Sequence, residues 1–270
     1  ELVQSGVIQM VITGEGNISL YYPRVMVNSI PYLFTSYHQA WRVLDSDYAR
    51  ELMADLPEKM GLRCLGIGEI GGFMSFSNSV RPIKTLEDMK GLRIRTMEHK
   101  VHMAFIKSLG SSVTPLSWSE LYTSLQTGVV DGQINAIADI IQNKMYEVQD
   151  YVTVSTGIYG TAYYLINDKW FGNLPEDLQR IIIEGTREGK LAARGVNKLL
   201  NVTGVDYLNE QGTPVNFLDP EQIEIFKTVS QPAVIAVLKE KVGMEWVDKV
   251  LEATKEAKIA LDEEAKLLMK

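Results

Sequence analysis

An arginine and an asparagine occupy positions where two predicted strands end, and their side chains are suited to bind a carboxylate. Residues 92–96 alternate apolar and basic side chains, which predicts a strand with Arg95 near its carboxyl end. Residues 133–138 are predicted to run back toward the core, with Asn135 at the end of a second strand. Strand ends in an open α/β sheet border a crevice that collects ligands, so Arg95 and Asn135 are expected to converge there. The guanidinium fork donates two parallel hydrogen bonds to a carboxylate, which predicts an organic acid as the ligand.

The order strand, helix, strand, helix, strand is predicted for residues 91–135, and the strand that carries Asn135 follows the second helix. Ser117 and Glu120 form a capping-box pattern at its start, and Leu121 and Leu125 supply an apolar stripe. Gly128 is placed to end this helix in a left-handed conformation. The capping pattern and the glycine thus mark the two ends of this helix.

The residues from 90 to 135 resemble the signature of the DctP-type substrate-binding proteins of tripartite ATP-independent periplasmic (TRAP) transporters. The matching strings are G-L-R-I-R, V-T-P-L-S-W-S-E-L-Y-T-S-L-Q and T-G-V-V-D-G-Q-I-N. The 40 residues that separate Arg95 from Asn135 equal the family's spacing between its carboxylate-binding arginine and its asparagine. Further similar strings are I-P-Y-L-F at 30–34, R-P-I at 81–83 and K-M-Y-E-V-Q at 144–149.

This resemblance implies an α/β fold of the two-lobed periplasmic binding protein type (type II), with one long helix that spans both lobes. It also implies that the family's opening strand, helix and strand are missing before residue 1. Lobe I is expected to comprise residues 1–71 and 161–200, and lobe II residues 72–160 and 201–270. The chain is expected to cross between the lobes near three points: Gly71–Gly72, Tyr159–Gly160 and Asn201. Packing of the C-terminal helix back across lobe I is left open.

Other elements follow from periodicity and capping residues. The region 37–56 is predicted to be helical with a break near Asp45, and strands are predicted at 7–13, 63–68 and 73–78. The alternation of strands and helices predicts parallel sheets. From Pro175 to about Gly212 the apolar residues keep a helical period, and a continuous helix there would be ~55 Å long. The glycines inside this segment leave open a break or a bend.

Composition excludes several classes of function. A net charge of -7 and the absence of a basic run argue against a nucleic-acid partner. No stretch approaches the ~20 apolar residues of a membrane span. The sequence has no nucleophile elbow, phosphate loop, metal-spaced histidine pair or cofactor fingerprint, so neither an enzyme nor a cofactor or metal is predicted. Cys64, the single cysteine, lies in an apolar run and is predicted to be a buried hydrophobe.

Five further residues are candidate ligand contacts, and three of them have a structural alternative. Trp118 matches a family position whose aromatic side chain stacks on the ligand. The alternative is that Trp118 anchors the start of its helix in the core. Glu15 and Glu98 match positions that reach polar groups of the ligand, but Glu15 could equally be a solvated turn carboxylate. Tyr159 could supply a hydroxyl at the hinge. The counterpart of Gln133 in the family serves structure more often than ligand binding.

One departure from the family pattern bears on the ligand. Where relatives often carry a second ligand-facing arginine, this chain has Met74, next to Phe73. With Trp118 nearby, these residues predict a monocarboxylate with an apolar or aromatic part. A sugar acid that contacts Glu15 and Glu98 is the competing prediction.

The resemblance implies a periplasmic, extracytoplasmic solute-binding protein. Such a protein captures an organic acid between its lobes and delivers it to the membrane subunits of a TRAP permease. A ligand-sensing receptor domain of the same fold, which feeds a signalling partner, is the alternative function.

Overall fold

The computed structural model describes residues 1–269 of the chain, which form an α/β fold with two sheets. The strands are β1 (Met10–Gly14), β2 (Leu62–Asn78), β3 (Arg93–Thr96), β4 (Ser112–Pro115), β5 (Gly132–Ala136), β6 (Tyr151–Val154), β7 (Tyr159–Asn167) and β8 (Val215–Phe217). The helices are α1 (Glu15–Ser19), α2 (Tyr37–Leu44), α3 (Asp47–Leu52), α4 (Leu56–Met60), α5 (Lys100–Ser108), α6 (Trp118–Gln126), α7 (Ile137–Gln142), α8 (Asp168–Gly172), α9 (Glu176–Glu210), α10 (Pro220–Val242) and α11 (Met244–Leu268). Short 3-10 helices cover Pro23–Ser29, Leu86–Met89 and Met145–Glu147.

The two sheets share the long strand β2. The first part of β2 pairs with β7, and β7 also pairs with β1. Both pairs are antiparallel. The last five residues of β2 pair antiparallel with β5 in the second sheet, where β3 lies between β5 and β4 and is parallel to both. The prediction of parallel sheets is therefore wrong outside β3, β4, β5 and the parallel pair of β6 and β8. The chain leaves the first sheet along β2 and returns along β6 and β7, so the returning strands run against β2.

The passage of β2 between the sheets depends on two glycines. Gly71 and Gly72 have φ values of +66° and +91°, and the register with β7 shifts between Glu69 and Gly72. A Cβ on Gly71 would collide with the Cβ of Ala136 and would lie 2.5 Å from Oδ2 of Asp139. The two strands predicted at 63–68 and 73–78 are thus one strand with a glycine irregularity between them. The use of this point as a hinge between the lobes stays a prediction.

Helix α9 is continuous over 35 residues, as the helical period predicted, and its glycines do not interrupt it. Near the first sheet, Nη1 of Arg194 donates to Oδ2 of Asp45 at 2.6 Å. Beside the glycine irregularity, Nδ2 of Asn201 donates to the carbonyl oxygen of Gly71 at 2.6 Å. Farther along, Leu208 packs into the hydrophobic cluster of the second sheet. The helix therefore contacts both sheets.

Two hydrophobic clusters support these elements. The larger one lies between β2, α2, α5, α10 and α11 and extends to the 3-10 helix Pro23–Ser29. The smaller one lies under α6, α7 and the end of α9. Helix α11 packs against α2 and α3, and its packing across lobe I stays a prediction. The helical region 37–56 breaks at Asp45, as predicted. No helix within residues 1–269 combines the length and the apolar character needed to cross a membrane.

Candidate ligand-binding site

A cavity of about 900 Å³ lies between the two sheets. Strand β1 and helix α1 border it on one side, through Thr13 and Asn17. The second sheet and the start of α6 border it on the other side, through Arg95, Asn135 and Trp118. The cavity therefore offers a bound molecule contacts with both halves of the protein.

Arg95 brings a buried positive charge to this cavity. It lies in β3 with only 2% of its surface exposed, and burial lowers its pKa to about 10, so it stays protonated at neutral pH. Its Nε and Nη2 both donate to the carbonyl oxygen of Leu116, at 3.0 and 2.7 Å. No Asp or Glu oxygen within residues 1–269 lies within 4.0 Å of its guanidinium nitrogens. The charge is thus oriented by a neutral carbonyl and has no carboxylate counterion in the described chain.

The start of α6 controls the surroundings of Arg95. The predicted capping box is present, since the Ser117 backbone N–H donates to Oε2 of Glu120 at 3.2 Å. Trp118 is the first residue of α6 and is 47% exposed, and its ring centroid lies 6.0 Å from Cζ of Arg95. This distance is at the limit of a cation–π contact. Trp118 is therefore a cavity wall that a ligand can cover, while Leu121 and Leu125 anchor the helix in the core.

Asn135 lines the same cavity from β5. The register places Arg95 beside Gln133 on the neighbouring parallel strand, two residues before Asn135. Nδ2 of Asn135 donates to Oε1 of Gln133 at 2.5 Å, and Nε2 of Gln133 donates to Oγ of Ser77 at 2.8 Å. Asn135 does not cap α7, because the N-cap residue is Ala136. The convergence of Arg95 and Asn135 is as expected from the strand ends, whereas their contact with a ligand stays a prediction.

Gln133 is fully buried and lies outside the cavity lining, so the structure gives it a supporting role behind Asn135. Glu98, by contrast, is exposed and lines the cavity, and its contact with a ligand stays a prediction. Its neighbour Met97 packs so closely on Gly16 that a Cβ at Gly16 would collide with the Met97 sulfur. This close approach brings the loop after β3 against α1 and places Glu98 at the cavity rim.

The structure does not bring Glu15 into the cavity. Glu15 is 4% exposed and accepts hydrogen bonds from Oγ of Ser29 at 2.7 Å and Oγ1 of Thr161 at 2.5 Å. Its Oε1 also lies 3.0 Å from Nε2 of His99, which is itself buried. Because α1 starts at Glu15, the side chain turns inward beneath the strand end, and internal groups occupy both of its oxygens. The alternative of a solvated turn carboxylate is equally excluded.

Met74, Phe73 and Tyr159 also lie outside the cavity lining. Met74 is buried in the core, and Phe73 packs edge-on against Tyr159 with ring centroids 5.1 Å apart. The Tyr159 hydroxyl donates to a carboxylate oxygen of Glu69. Phe73 and Tyr159 pair beside the glycine irregularity of β2, and both rings pack edge-on against Tyr37 of α2. The apolar part of the cavity wall comes instead from Ile12, Leu20, Ile70 and Leu116.

Asp139 is a cavity residue that the sequence interpretation missed. Burial raises its pKa to about 6, and a hydrogen bond from the Ala136 backbone N–H opposes this shift. Its Oδ2 has no hydrogen-bond partner within residues 1–269. The sequence signal was an aspartate four residues after Asn135, in the first turn of α7, where acidic residues are common for electrostatic reasons unrelated to ligands.

The charges around the cavity are unbalanced. Among the described residues that line it, Arg95 is the one cation, whereas Glu98, Glu120 and Asp139 carry carboxyl groups. No group of three or more His, Cys, Asp and Glu side chains in residues 1–269 is arranged to hold a metal ion. The site therefore has one strong position for an anion and several positions for hydrogen-bond donors.

Comparison with known proteins identifies the family. The model of DctP, described as bacterial extracellular solute-binding protein, family 7, matches residues 1–241. The chain belongs to this family. The resemblance to the DctP-type proteins of TRAP transporters is thereby confirmed, since relatives with significant similarity carry names such as C4-dicarboxylate-binding periplasmic protein DctP.

Two relatives show how far the similarity extends. A solute-binding protein of Verminephrobacter eiseniae is 35% identical over 80% of this chain. The 2,3-diketo-L-gulonate-binding periplasmic protein of Escherichia coli is 30% identical over 79% of this chain. The chain covers 64% of the length of each of these relatives.

A solved structure confirms the fold. The sugar acid binding protein of Advenella mimigardefordensis, crystallised in complex with galactonate, is 32% identical to this chain with a TM-score of 0.89. The match covers 95% of this chain and 82% of that protein. The two-lobed α/β fold expected for a TRAP solute-binding protein is therefore confirmed.

Proposed function

We propose that this chain is a periplasmic solute-binding protein that captures an organic acid in the cavity at Arg95 and delivers it to the membrane subunits of a TRAP permease. One observation carries the proposal: a buried guanidinium without a carboxylate partner among residues 1–269 faces a cavity of about 900 Å³. Family membership supports the transport role, because the similar proteins named above are solute-binding proteins. No catalytic step is proposed.

The geometry of Arg95 suits a carboxylate. Two of its five N–H groups donate to Leu116, which leaves three donors for a ligand. Hydrogen bonds between charged groups contribute about 1.5–3 kcal/mol each. A carboxylate would also neutralise the buried charge, which favours binding beyond the hydrogen bonds themselves.

Lobe closure requires a ligand that contacts both halves of the protein. Thr13 and Asn17 approach the cavity from the first sheet, and Arg95 and Asn135 approach it from the second. A ligand that bridges these residues binds the closed state more tightly than the open state, and this difference shifts the population toward closure.

The charge distribution favours a monocarboxylate over a dicarboxylate. A second carboxylate would enter a cavity whose remaining charged groups within residues 1–269 are Glu98, Glu120 and Asp139. It would lose its hydration without gaining a cation, which is unfavourable. Both predicted ligand types, a monocarboxylate with an apolar part and a sugar acid, carry a single carboxylate. Galactonate, the ligand of the similar Advenella protein, is a monocarboxylate of the second type.

Calorimetric titration with D-galactonate, hexanoate and succinate tests the proposal. Arg95→Ala is expected to weaken binding of the preferred acid at least about 100-fold, because two charge-assisted hydrogen bonds are lost. Arg93→Ala is the matched control, since Arg93 lies on the same strand but is exposed and paired with Asp131 at 2.5 Å. Unchanged binding by the Arg95 variant would refute the proposed site.

Transport requires a second test. Proteoliposomes that contain TRAP membrane subunits are expected to take up a radiolabelled acid when wild-type protein is present. The Arg95→Ala variant is expected not to support uptake. Ligand binding without uptake by any such permease would favour the alternative function, a receptor domain for a signalling partner.

A further inference from the structure

Asp139 differs from the other carboxyl groups of the cavity. Glu98 and Glu120 are exposed, and Glu120 accepts the hydrogen bond of its capping box. Asp139 is largely buried, and its Oδ2 has no hydrogen-bond partner within residues 1–269. Buried polar atoms in folded proteins are nearly always hydrogen-bonded, so an unpartnered oxygen at the wall of a cavity requires an explanation.

A purely structural role for Asp139 does not explain why its Oδ2 is unpaired within residues 1–269. The Ala136 backbone N–H favours the charged form of this carboxyl group in the first turn of α7. Oδ2 packs closely against Gly71, since a Cβ at Gly71 would lie 2.5 Å from that oxygen. This packing provides no hydrogen-bond donor to Oδ2. Asp139 thus lines the cavity with one carboxyl oxygen unpaired among residues 1–269, and a hydrogen-bond donor on a bound molecule would supply the missing partner.

We propose that Asp139 accepts a hydrogen bond from a hydroxyl group of the bound acid and thereby selects hydroxylated monocarboxylates. This inference rests on the proposed function, because Arg95 holds the carboxylate end of the same molecule. The neutral polar side chains of the cavity, Thr13, Asn17 and Ser117, suit further hydroxyl groups, since each can donate and accept hydrogen bonds. An acid that lacks hydroxyl groups would leave Oδ2 of Asp139 unsatisfied, which is costly.

Selectivity of this kind is large when it depends on a buried polar group. A site built to hydrogen-bond a hydroxyl rejects the analogue that lacks it, because its own polar atoms then stay unpaired. The same acceptor repels a second carboxylate, so it discriminates against dicarboxylates as well. Asp139 would thus favour the binding of hydroxylated monocarboxylates over dicarboxylates and over monocarboxylates that lack hydroxyl groups.

The test compares two acids of equal chain length, D-galactonate and hexanoate, by calorimetric titration at pH 7.5. Asp139→Ala is expected to weaken galactonate binding by about 10-fold or more, and to leave the weaker binding of hexanoate unchanged. Asp139→Asn retains an acceptor without the charge and is expected to give an intermediate loss. The matched control is Asp177→Ala, which removes an exposed aspartate from the first turn of α9.

The pattern of losses separates ligand selection from a structural role. A distorted cavity would weaken both acids to the same extent, so equal losses for galactonate and hexanoate would overturn the inference, as would unchanged galactonate binding. If wild-type protein binds hexanoate or succinate but not galactonate, the inference fails while the proposed function stands. If Arg95→Ala has no effect on any acid that binds, the proposed function fails with it.

Discussion

Arg95 and Leu116 are joined by two hydrogen bonds, from Nε at 3.0 Å and from Nη2 at 2.7 Å, to a single backbone carbonyl oxygen. A carbonyl orients the guanidinium without cancelling its charge, in contrast to a carboxylate. Leu116 directly precedes Ser117, the N-cap residue of α6. The start of that helix therefore determines where the buried charge points, and this link yields the first prediction.

Loss of the α6 capping box is expected to weaken ligand binding as well as stability. Ser117→Ala removes the cap and should reduce the free energy of unfolding by about 1 kcal/mol. It should also weaken binding of the acid, because the Leu116 carbonyl is no longer held in place. Thr85→Ala is the control, since Thr85 forms another capping box with Asp88, outside the cavity lining. Chemical denaturation and titration measure both effects, and equal binding by the two variants would contradict the link.

Asp139 is expected to reduce stability at neutral pH. Its folded pKa of about 6 exceeds the ordinary value of 3.8, so the folded state holds the proton more tightly than the unfolded chain. The penalty is absent below about pH 4, grows as pH rises to about 6, and stays constant above that value, with an upper limit of about 3 kcal/mol. Asp139→Asn should therefore be more stable relative to wild type at pH 7.5 than at pH 4. Urea unfolding at the two pH values measures this difference, and a pH-independent difference would contradict it.

Gly71 is expected to tolerate no side chain. Gly71→Ala combines a positive φ with a collision against Ala136 and Asp139, so a loss of more than about 2 kcal/mol is expected. Gly91→Ala is the control, because Gly91 has φ +76° but no described atom within 4 Å of the added Cβ, and about 1 kcal/mol is expected there. Thermal unfolding of both variants gives the comparison. Similar losses would show that backbone strain alone, without the collision, governs Gly71.

Glu15 is expected to act in stability and not in ligand recognition. Glu15→Ala leaves Ser29, Thr161 and His99 without their shared partner in the interior, which should cost about 3 kcal/mol or more. The dissociation constant of the folded fraction should change little, because Glu15 does not line the cavity. Titration at a temperature well below the melting point tests this. A large loss of affinity with unchanged stability would restore Glu15 as a ligand contact.

Local patterns predicted the parts of the site that depend on neighbours in sequence. The strand at Arg95, the capping box at Ser117 and the long helix α9 each rest on residues a few positions apart, and each is present as expected. The position of Asn135 followed as well, because parallel strand ends meet at one edge of a sheet.

Long-range packing decided the features that were missed. The inward turn of Glu15 depends on Thr161, which is 146 residues away, and on the loop that carries His99. The burial of Asp139 in α7 depends on its approach to Gly71, a residue of the distant strand β2. The antiparallel path of β2 and β7 depends on the return of the chain between two sheets, which periodicity within each segment does not reveal.

A high-resolution structure of the protein with bound D-galactonate tests the central claim most directly. Both carboxylate oxygens are expected within about 2.7–2.9 Å of Arg95 nitrogens. A carboxylate bound elsewhere in the cavity, with Arg95 still bonded to Leu116 alone, would contradict it.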